Sequence, residues 1–357
     1  EPALGLPRPW DQQWSLRMQQ IVAYETDLLE FEDIFDGSAV IEAKVEALKA
    51  EARAELERID AMGGAVAAVE SSYMKQRLVE SNAARIRAIE TGEQIVVGVN
   101  RWVETEASPL SAGRDSGILT VPEWVERDQI EQVKAWRAAR GAQGAASALA
   151  DLRSAAQEGR NLMEPSIACA KAGVTTGEWG ETLRTVFGEY RAPTGVGKVR
   201  ADSGEGIAAV RAEVERVSAR LGRRIKFLVG KPGLDGHSNG AEQIAVRARD
   251  CGMEVVYEGI RLTPAEIVNA ALEEGVHVVG LSILSGSHVP LVREVMDRMR
   301  AAGLDHIPVA VGGIIPEEDE TALKSAGVAA VYTPKDFQLN EIMAGIVRLI
   351  DPEARAA

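Results

Sequence analysis

The loop "KPGLDGHSNG", residues 231–240, holds the side chains of this sequence that are best suited to chemistry. It places His237, one of only four histidines, two residues after Asp235 and three residues before Gly240. A neutral imidazole binds a metal through one ring nitrogen, and its other nitrogen needs an acceptor that fixes the tautomer. Asp235 is close enough in the chain to be that acceptor, and Gly240 lets the backbone approach a bulky ligand. The spacing therefore predicts that His237 is a metal ligand oriented by Asp235.

The kind of metal follows from the number of ligands. One histidine is too few for a bare zinc ion, which takes three or four protein ligands, whereas a single axial histidine suits a metal already held by a macrocycle. A dinucleotide site and a P-loop are disfavoured because the loop lacks G-x-G-x-x-G and no Gly-Lys-Ser/Thr follows it. A phosphorylated aspartate is disfavoured because the first strand carries no acidic pocket. A loop histidine without any ligand is the remaining alternative.

The elements that position this loop are short β-branched runs alternating with helical patterns from Ile225 onward. The five runs are "IKFLV", "MEVVYEG", "VHVVGLSIL", "IPVAVGG" and "AAVYTP". This alternation predicts an α/β fold with a five-stranded, doubly wound parallel sheet of the flavodoxin-like (Rossmann-like) kind. Glycine-rich or polar clusters follow four of the strands, as "GKPGLDGHSNG", "SILSGSH", "GGIIPEED" and "YTPKD". We expect the ligand to touch all four loops at the carboxyl edge of the sheet.

The rest of the chain is predicted to be mostly helical. "SAVIEAKVEALKAEARAELERIDAMGG" carries an apolar stripe at helical spacing, and a second helix is expected at about 71–91. Further helices are expected in "VPEWVERDQIEQVKAWRAARG" and "SIACAKAGVTTGEWGETLRTVFGEY", with "GAQGA" and "APTGVGKVRADSGEG" as loops. Trp124, Trp136 and Trp179 are expected to anchor these helices. The predicted domains are residues 1–103, a helical linker at 104–223, and a ligand-binding domain at 224–357.

Composition limits the partners of this chain of 357 residues. Its formal net charge of −14 argues against nucleic acid, which needs a basic surface. Two isolated cysteines indicate neither a disulfide framework nor a thiolate zinc site. No apolar run approaches ~20 residues, so no membrane span is expected, and the absence of a signal peptide predicts a cytoplasmic location. The first residues, "EPALGLPRPW", lack an initiator methionine, and we expect the chain to be a piece of a longer protein.

The ordered set D-x-H-x-x-G, S-x-L-x-G and GG resembles the cobalamin-binding domains of coenzyme-B12-dependent mutases and of methionine synthase. The resemblance implies that His237 is the lower axial ligand of cobalt, in place of the cofactor's own dimethylbenzimidazole. Asp235 then hydrogen-bonds His237, and Lys231 supports the pair. The residues that match the family's cofactor loop and nucleotide-tail slot are Lys231, Asp235, Gly236, His237, Gly240, Ser282, Leu284, Gly286, Gly312, Gly313, Tyr332 and Thr333.

Two further expectations concern residues around that slot. A side chain at Gly313 is expected to project into the slot, so its substitution should harm cofactor binding more than the fold. His288 is interpreted as a solvent-facing or helix-start residue in preference to a ligand contact. His277 and His306 precede strands and are expected to be structural.

A wider resemblance joins almost the whole chain to the methylmalonyl-CoA mutase family of acyl-CoA mutases. "ALGLPRPWDQQWSLRMQQIVAYET" looks like the last helix of the family's TIM barrel, and "DGSAVIE" and "IVVGVNRW" also match. "NLMEPSIACAKAGVTTGEWGETLRTVFGEY" resembles the link from barrel to cobalamin domain, and "PRPWDQQW" looks most like members that act on ethylmalonyl-CoA. In this family the catalytic residues lie in the TIM barrel, and only the last helix of that barrel is recognisable in this chain. The catalytic residues are therefore unknown and are expected in the part of the barrel that this sequence does not include.

The resemblance implies an enzyme that uses adenosylcobalamin for a radical carbon-skeleton rearrangement, from (2R)-ethylmalonyl-CoA to (2S)-methylsuccinyl-CoA. It also implies an acyl-CoA substrate, the barrel-containing portion of the same enzyme, a homodimer and a GTPase chaperone as partners. The alternatives are a mutase acting on methylmalonyl-CoA, a methyl-carrying corrinoid protein, and a non-enzymatic cobalamin carrier.

Overall fold

The computed structural model describes residues 9–104, 123–190, 193–194 and 205–351. The chain divides into two compact units, one formed by 1–119 together with 192–357 and the other by 120–191. Within the described ranges, no helix is both long and apolar enough to cross a membrane. The three predicted domains, 1–103, 104–223 and 224–357, stay a prediction.

The first unit contains a sheet of five parallel strands. These are β1 (Lys226–Gly230), β2 (Glu254–Val256), β3 (Val278–Ser282), β4 (Val309–Gly312) and β5 (Ala330–Tyr332). Their order is β2-β1-β3-β4-β5, which is the flavodoxin-like order of a doubly wound sheet. The predicted fold class is confirmed. Ser282 pairs with Gly312 and Gly312 with Tyr332, so three strand ends meet at one edge of the sheet.

Helices cover both faces of this sheet. One face packs against α9 (Glu205–Leu221), α10 (Asn239–Asp250) and α14 (Leu339–Ile350). The other packs against α11 (Pro264–Glu274), α12 (His288–Ala301) and α13 (Glu317–Ser325). Successive residues of a strand point to opposite faces, and β1 accordingly sends Phe227 and Val229 into the first core and Leu228 into the second. This double burial explains why the strands are continuous apolar runs.

The N-terminal part of this unit is helical, as predicted. It contains α1 (Pro9–Tyr24), a 3-10 turn (Leu28–Glu30), α2 (Ala39–Ala61), α3 (Ala65–Glu70) and α4 (Tyr73–Glu90). Helix α4 corresponds to the helix expected at about 71–91, and it packs against α10. Helix α2 has no buried residue, and Ile41 and Leu48 of its predicted stripe are exposed.

The second unit consists of α5 (Glu123–Ala139), α6 (Ala142–Glu158), α7 (Met163–Lys171) and α8 (Thr176–Phe187). The prediction that "GAQGA" is a loop is wrong, because Gly141 is the N-cap of α6 and Ala142 begins that helix. Glycine is tolerated at an N-cap, and the alanines that follow are the strongest helix formers. Most of the other predicted loop, residues 192–206, lies outside the described ranges.

Two of the three tryptophans named above anchor helices in this unit. The indole nitrogen of Trp136 donates to the carbonyl oxygen of Gly173, and that of Trp179 donates to Oγ of Ser166, both at 2.9 Å. Trp124 is about as exposed as Trp136, but no hydrogen bond from its indole to a described residue holds it, so the expectation that it is an anchor is not met.

Candidate functional site

The loop after β1 holds His237 in one orientation. Nδ1 of His237 lies 2.6 Å from Oδ1 of Asp235, and the backbone nitrogen of His237 donates to the same oxygen at 3.0 Å. The other carboxylate oxygen, Oδ2, accepts from Nζ of Lys231 at 2.7 Å and from the backbone nitrogen of Leu284 at 3.1 Å. The Asp235 side chain is 4% exposed and that of His237 is 78% exposed. A buried, fixed carboxylate therefore holds an imidazole that projects from the surface.

The charge state of Asp235 suits this role. Burial by itself raises the pKa of the carboxyl group, but hydrogen bonds from Lys231, His237 and Leu284 outweigh it and hold the pKa well below its usual range. Asp235 is therefore an acceptor at neutral pH, and it favours the imidazole tautomer with hydrogen on Nδ1. Nε2 is then the ring nitrogen left with a lone pair for a metal.

The shape of the loop depends on distant parts of the chain. Gly233 adopts a left-handed conformation at φ +82°, and its nitrogen donates to the carbonyl oxygen of Leu262. Nζ of Lys231, whose side chain is fully buried, also reaches the carbonyl oxygen of Ser282 at 3.3 Å. The loop is thus fastened to the end of β3 and to the segment before α11.

A cavity of about 430 Å³ opens beside this loop. Its volume is in the range of small-molecule sites, about 300–1,000 Å³. It lies between the carboxyl edge of the sheet and helices α4, α10 and α14. Seven of the residues predicted from the sequence line it: Gly240, Ser282, Leu284, Gly312, Gly313, Tyr332 and Thr333. Leu284 joins the cavity to the polar cluster, because its backbone nitrogen bonds Asp235 while the residue lines the cavity.

The remaining five predicted cofactor residues do not line the cavity. Lys231, Asp235 and His237 form the polar cluster, while Gly236 and Gly286 are exposed and do not line the cavity. Leu234, which sequence reasoning passed over, is 91% exposed beside Asp235.

The other histidines are placed as follows. Nδ1 of His277 accepts from the backbone nitrogen of Lys226 at 2.8 Å, which fits a structural role, and burial lowers its pKa. His288 begins α12 as expected, but it is buried, with Nε2 at 2.8 Å from Oδ2 of Asp319. Of the two alternatives given for His288, the helix start is confirmed and the solvent-facing position is not. His306 is exposed in the turn before β4.

The expectation about Gly313 is corrected by its surroundings. A Cβ atom built there lies 1.9 Å from the carbonyl oxygen of Ile283, so any side chain collides with the backbone of the neighbouring strand end. A Cβ atom at Gly312 meets nothing within 4 Å, and this residue also lines the cavity. Gly313 is thus required for close backbone packing, and Gly312 is the position at which a side chain enters the cavity.

Sequence reasoning missed the helical side of the cavity. Asn82, Arg85 and Ile86 of α4 and Ile342 and Ile346 of α14 line it opposite the strand ends. The amphipathic patterns predicted both helices, but a helical period does not say which sheet a helix covers.

These features fit a cobalamin. His237 offers one oriented ring nitrogen to a metal, and within the described ranges no group of three or more His, Cys, Asp or Glu side chains is placed to hold a bare ion. A corrin ring supplies the remaining ligands itself, and the adjacent cavity has room for a nucleotide tail.

Comparison with known proteins agrees with this geometry. Residues 225–337 match the family model for the B12 binding domain, and residues 1–189 match the model for methylmalonyl-CoA mutase. The described sheet and its loop therefore form a B12-binding domain. Since the second model covers more than half of the 357 residues, the chain belongs to the methylmalonyl-CoA mutase family.

Curated relatives extend along nearly the whole chain. It is 64% identical to ethylmalonyl-CoA mutase of Cereibacter sphaeroides over 99% of this chain and 54% of that protein. It is 63% identical to ethylmalonyl-CoA mutase of Methylorubrum extorquens over 98% of this chain and 50% of that protein. Methylmalonyl-CoA mutase of Escherichia coli is 32% identical over 96% of this chain and 48% of that protein. The chain thus spans about half the length of the curated relatives it matches.

Proposed function

We propose that this chain is the cobalamin-binding half of an adenosylcobalamin-dependent acyl-CoA mutase, which converts (2R)-ethylmalonyl-CoA to (2S)-methylsuccinyl-CoA. The observation that carries the proposal is the exposed imidazole of His237, held at 2.6 Å by a buried carboxylate at the mouth of a cavity. The choice of substrate is supported by identities of 64% and 63% to ethylmalonyl-CoA mutases against 32% to a methylmalonyl-CoA mutase.

Each part of the site has a role in this proposal. His237 holds cobalt through Nε2, Asp235 keeps the proton on Nδ1, and Lys231 keeps Asp235 ionised. The cavity beside Gly312 and Tyr332 receives the displaced nucleotide tail. When bound, adenosylcobalamin supplies a cobalt–carbon bond whose homolysis starts the radical rearrangement. The protein positions that group and keeps water from it.

Other features of the assembled enzyme are proposed on the family resemblance alone. The acyl-CoA substrate and the catalytic residues belong to a barrel outside these 357 residues. A homodimer, a GTPase chaperone and a cytoplasmic location stay predictions.

Electron paramagnetic resonance of the reduced cobalt tests the proposal. In protein labelled with nitrogen-15 histidine and loaded with unlabelled cobalamin, we expect hyperfine structure from a nitrogen-15 nucleus. Hyperfine structure from nitrogen-14 of dimethylbenzimidazole would show that the cofactor keeps its own base and that His237 has another role. Absence of any cobalamin binding would overturn the proposal entirely.

A further inference from the structure

Helix α4 brings two polar side chains to the cavity from a part of the chain outside the matched B12-binding domain. Asn82 and Arg85 are one turn apart on the same face of α4, and both line the cavity. Contacts between α4 and the sheet domain hold them there. Gln243 of α10 donates to the carbonyl oxygen of Val79 at 3.1 Å, and Lys75 lies 2.7 Å from Oε1 of the buried Glu242.

The amide of Asn82 lacks a partner inside the protein. Its Nδ2 atom is buried and makes no hydrogen bond in the described structure. An unsatisfied buried donor costs about 1–3 kcal/mol, so native proteins seldom keep one without a use. A ligand oxygen in the cavity would provide the missing acceptor.

Arg85 adds charge to this polar corner. Its guanidinium has no ion pair or hydrogen bond with any other side chain that the structure describes, in contrast to Arg77 on the same helix, which lies 3.3 Å from Glu80. Among the described residues that line the cavity, Arg85 is the one charged side chain. Arg85 is an exposed residue at the edge of this cavity, and its guanidinium offers charged donors to an anionic ligand group.

We propose that Asn82 and Arg85 bind the phosphodiester of the cofactor's nucleotide tail. This inference rests on the proposed function, in which that tail enters the cavity. The phosphodiester is the anionic group of the tail, and it accepts hydrogen bonds from both an amide and a guanidinium. Helix α4 is then part of the cofactor site and selects corrinoids that carry a nucleotide.

Titration with two corrinoids tests this assignment in the full 357-residue chain. Aquocobalamin carries the nucleotide tail, and aquocobinamide has the corrin and cobalt without it; binding of each is followed by absorbance. We expect Asn82→Ala and Arg85→Ala each to weaken aquocobalamin binding about 10-fold, as for loss of one hydrogen bond to a charged group. Aquocobinamide binding should change less than about 2-fold. Arg87→Ala, an exposed position on the same helix that does not line the cavity, is the matched control.

Two further variants separate recognition from packing. Asn82→Asp keeps the side-chain size but places a negative charge beside the phosphodiester, so it should weaken aquocobalamin binding more than Asn82→Ala does. Arg85→Lys keeps the charge and should restore part of the affinity.

The outcomes distinguish this inference from the proposed function. Equal affinities of wild type, Asn82→Ala and Arg85→Ala for aquocobalamin would overturn the inference and leave the function standing. A parallel loss of aquocobinamide would also overturn it, since the helix would then act on the corrin or on the fold. A wild-type chain that binds neither corrinoid would overturn the proposed function and this inference with it.

Discussion

Asp235 is the residue on which the geometry of the site depends, because one carboxylate serves Lys231, His237 and Leu284 together. His237→Ala removes the proposed cobalt ligand, so we expect loss of the histidine signal in the resonance spectrum and strongly weakened cobalamin binding. Asp235→Asn should weaken binding about 10–100-fold, the usual cost of losing the partner that orients a ligand. His306→Ala, an exposed histidine before β4, is the control. Unchanged affinity in His237→Ala would contradict the assignment.

The lowered pKa of Asp235 also makes folding depend on pH. In the unfolded chain an aspartate titrates near about 3.9, and in the folded protein its pKa is lower. The ionised group therefore contributes stability that is fully present above about pH 4 and is lost as the pH falls through the folded-state pKa. We expect the difference in free energy of unfolding between wild type and Asp235→Asn to be constant from about pH 7 to 5 and to shrink below about pH 4. Urea unfolding across this range measures it, and a difference that grows on acidification would refute the explanation.

At the scale of elements, the end of β4 offers a pair of adjacent glycines with opposite roles. Gly313→Ala places a Cβ atom against the backbone of Ile283 and should lower the free energy of unfolding of the ligand-free protein by about 3 kcal/mol or more. Gly312→Val should leave that stability within about 1 kcal/mol, since nothing lies within 4 Å of its Cβ. It should nevertheless weaken cobalamin binding about 10-fold by filling the cavity. Urea unfolding measures the stability of both variants, and absorbance titration measures their affinity for cobalamin. A Gly313→Ala protein as stable as wild type would contradict the prediction and show that β3 and β4 separate easily.

Helix α4 is fastened to the sheet domain by a polar network at its C-terminal end. Oε2 of Glu90 lies 3.1 Å from Arg247, and Oε1 accepts from the backbone nitrogen of Leu339 at 2.8 Å. Glu90→Ala removes the carboxylate that pairs with the guanidinium of Arg247, which is only 9% exposed and keeps its hydrogen bond to Oδ1 of Asn340, so we expect a loss of about 2 kcal/mol in the free energy of unfolding. Arg77→Ala, which breaks an exposed pair with Glu80 on the same helix, should cost less than about 1 kcal/mol. Equal effects of the two substitutions would mean that the network does not hold α4.

Features that depend on local sequence patterns were predicted, whereas features that depend on tertiary contacts were missed. The sheet was predictable because runs such as "IKFLV" are buried on both faces, and the metal-ligand hypothesis for His237 followed from short-range spacing to Asp235. The start of α6 was missed because Gly141 resembles a loop residue when its capping position is unknown. The places of Asn82 and Arg85 were missed because they depend on which of several amphipathic helices covers the sheet, and that is decided by tertiary contacts such as the one between Gln243 and Val79.

At the scale of the whole molecule, the exposed apolar side chains of α1 and α2 lead to a prediction about self-association and catalytic activity. Trp10 and Trp14 of α1 and Ile41 and Leu48 of α2 are all exposed, and exposed apolar surface favours association. We expect the isolated chain, loaded with adenosylcobalamin, to isomerise neither ethylmalonyl-CoA nor methylmalonyl-CoA and to self-associate in sedimentation experiments. Adding the barrel portion of the enzyme should restore turnover and suppress association. Isomerisation by the purified chain alone in a coupled assay would show that the active site has been misplaced.

The bond between Glu90 and Leu339 joins residues 249 positions apart, and it has a consequence for biosynthesis. At roughly 5–20 residues per second, the ribosome makes the end of α4 about 12–50 s before the start of α14. During that interval Glu90 lacks its hydrogen bond to Leu339, and the cavity lacks the residues of α14 that line it. The cavity thus has its first wall, α4, long before its last one, α14. The cavity is therefore complete only after α14 has been synthesised, and a chain stopped before residue 339 lacks the residues of α14 that line it.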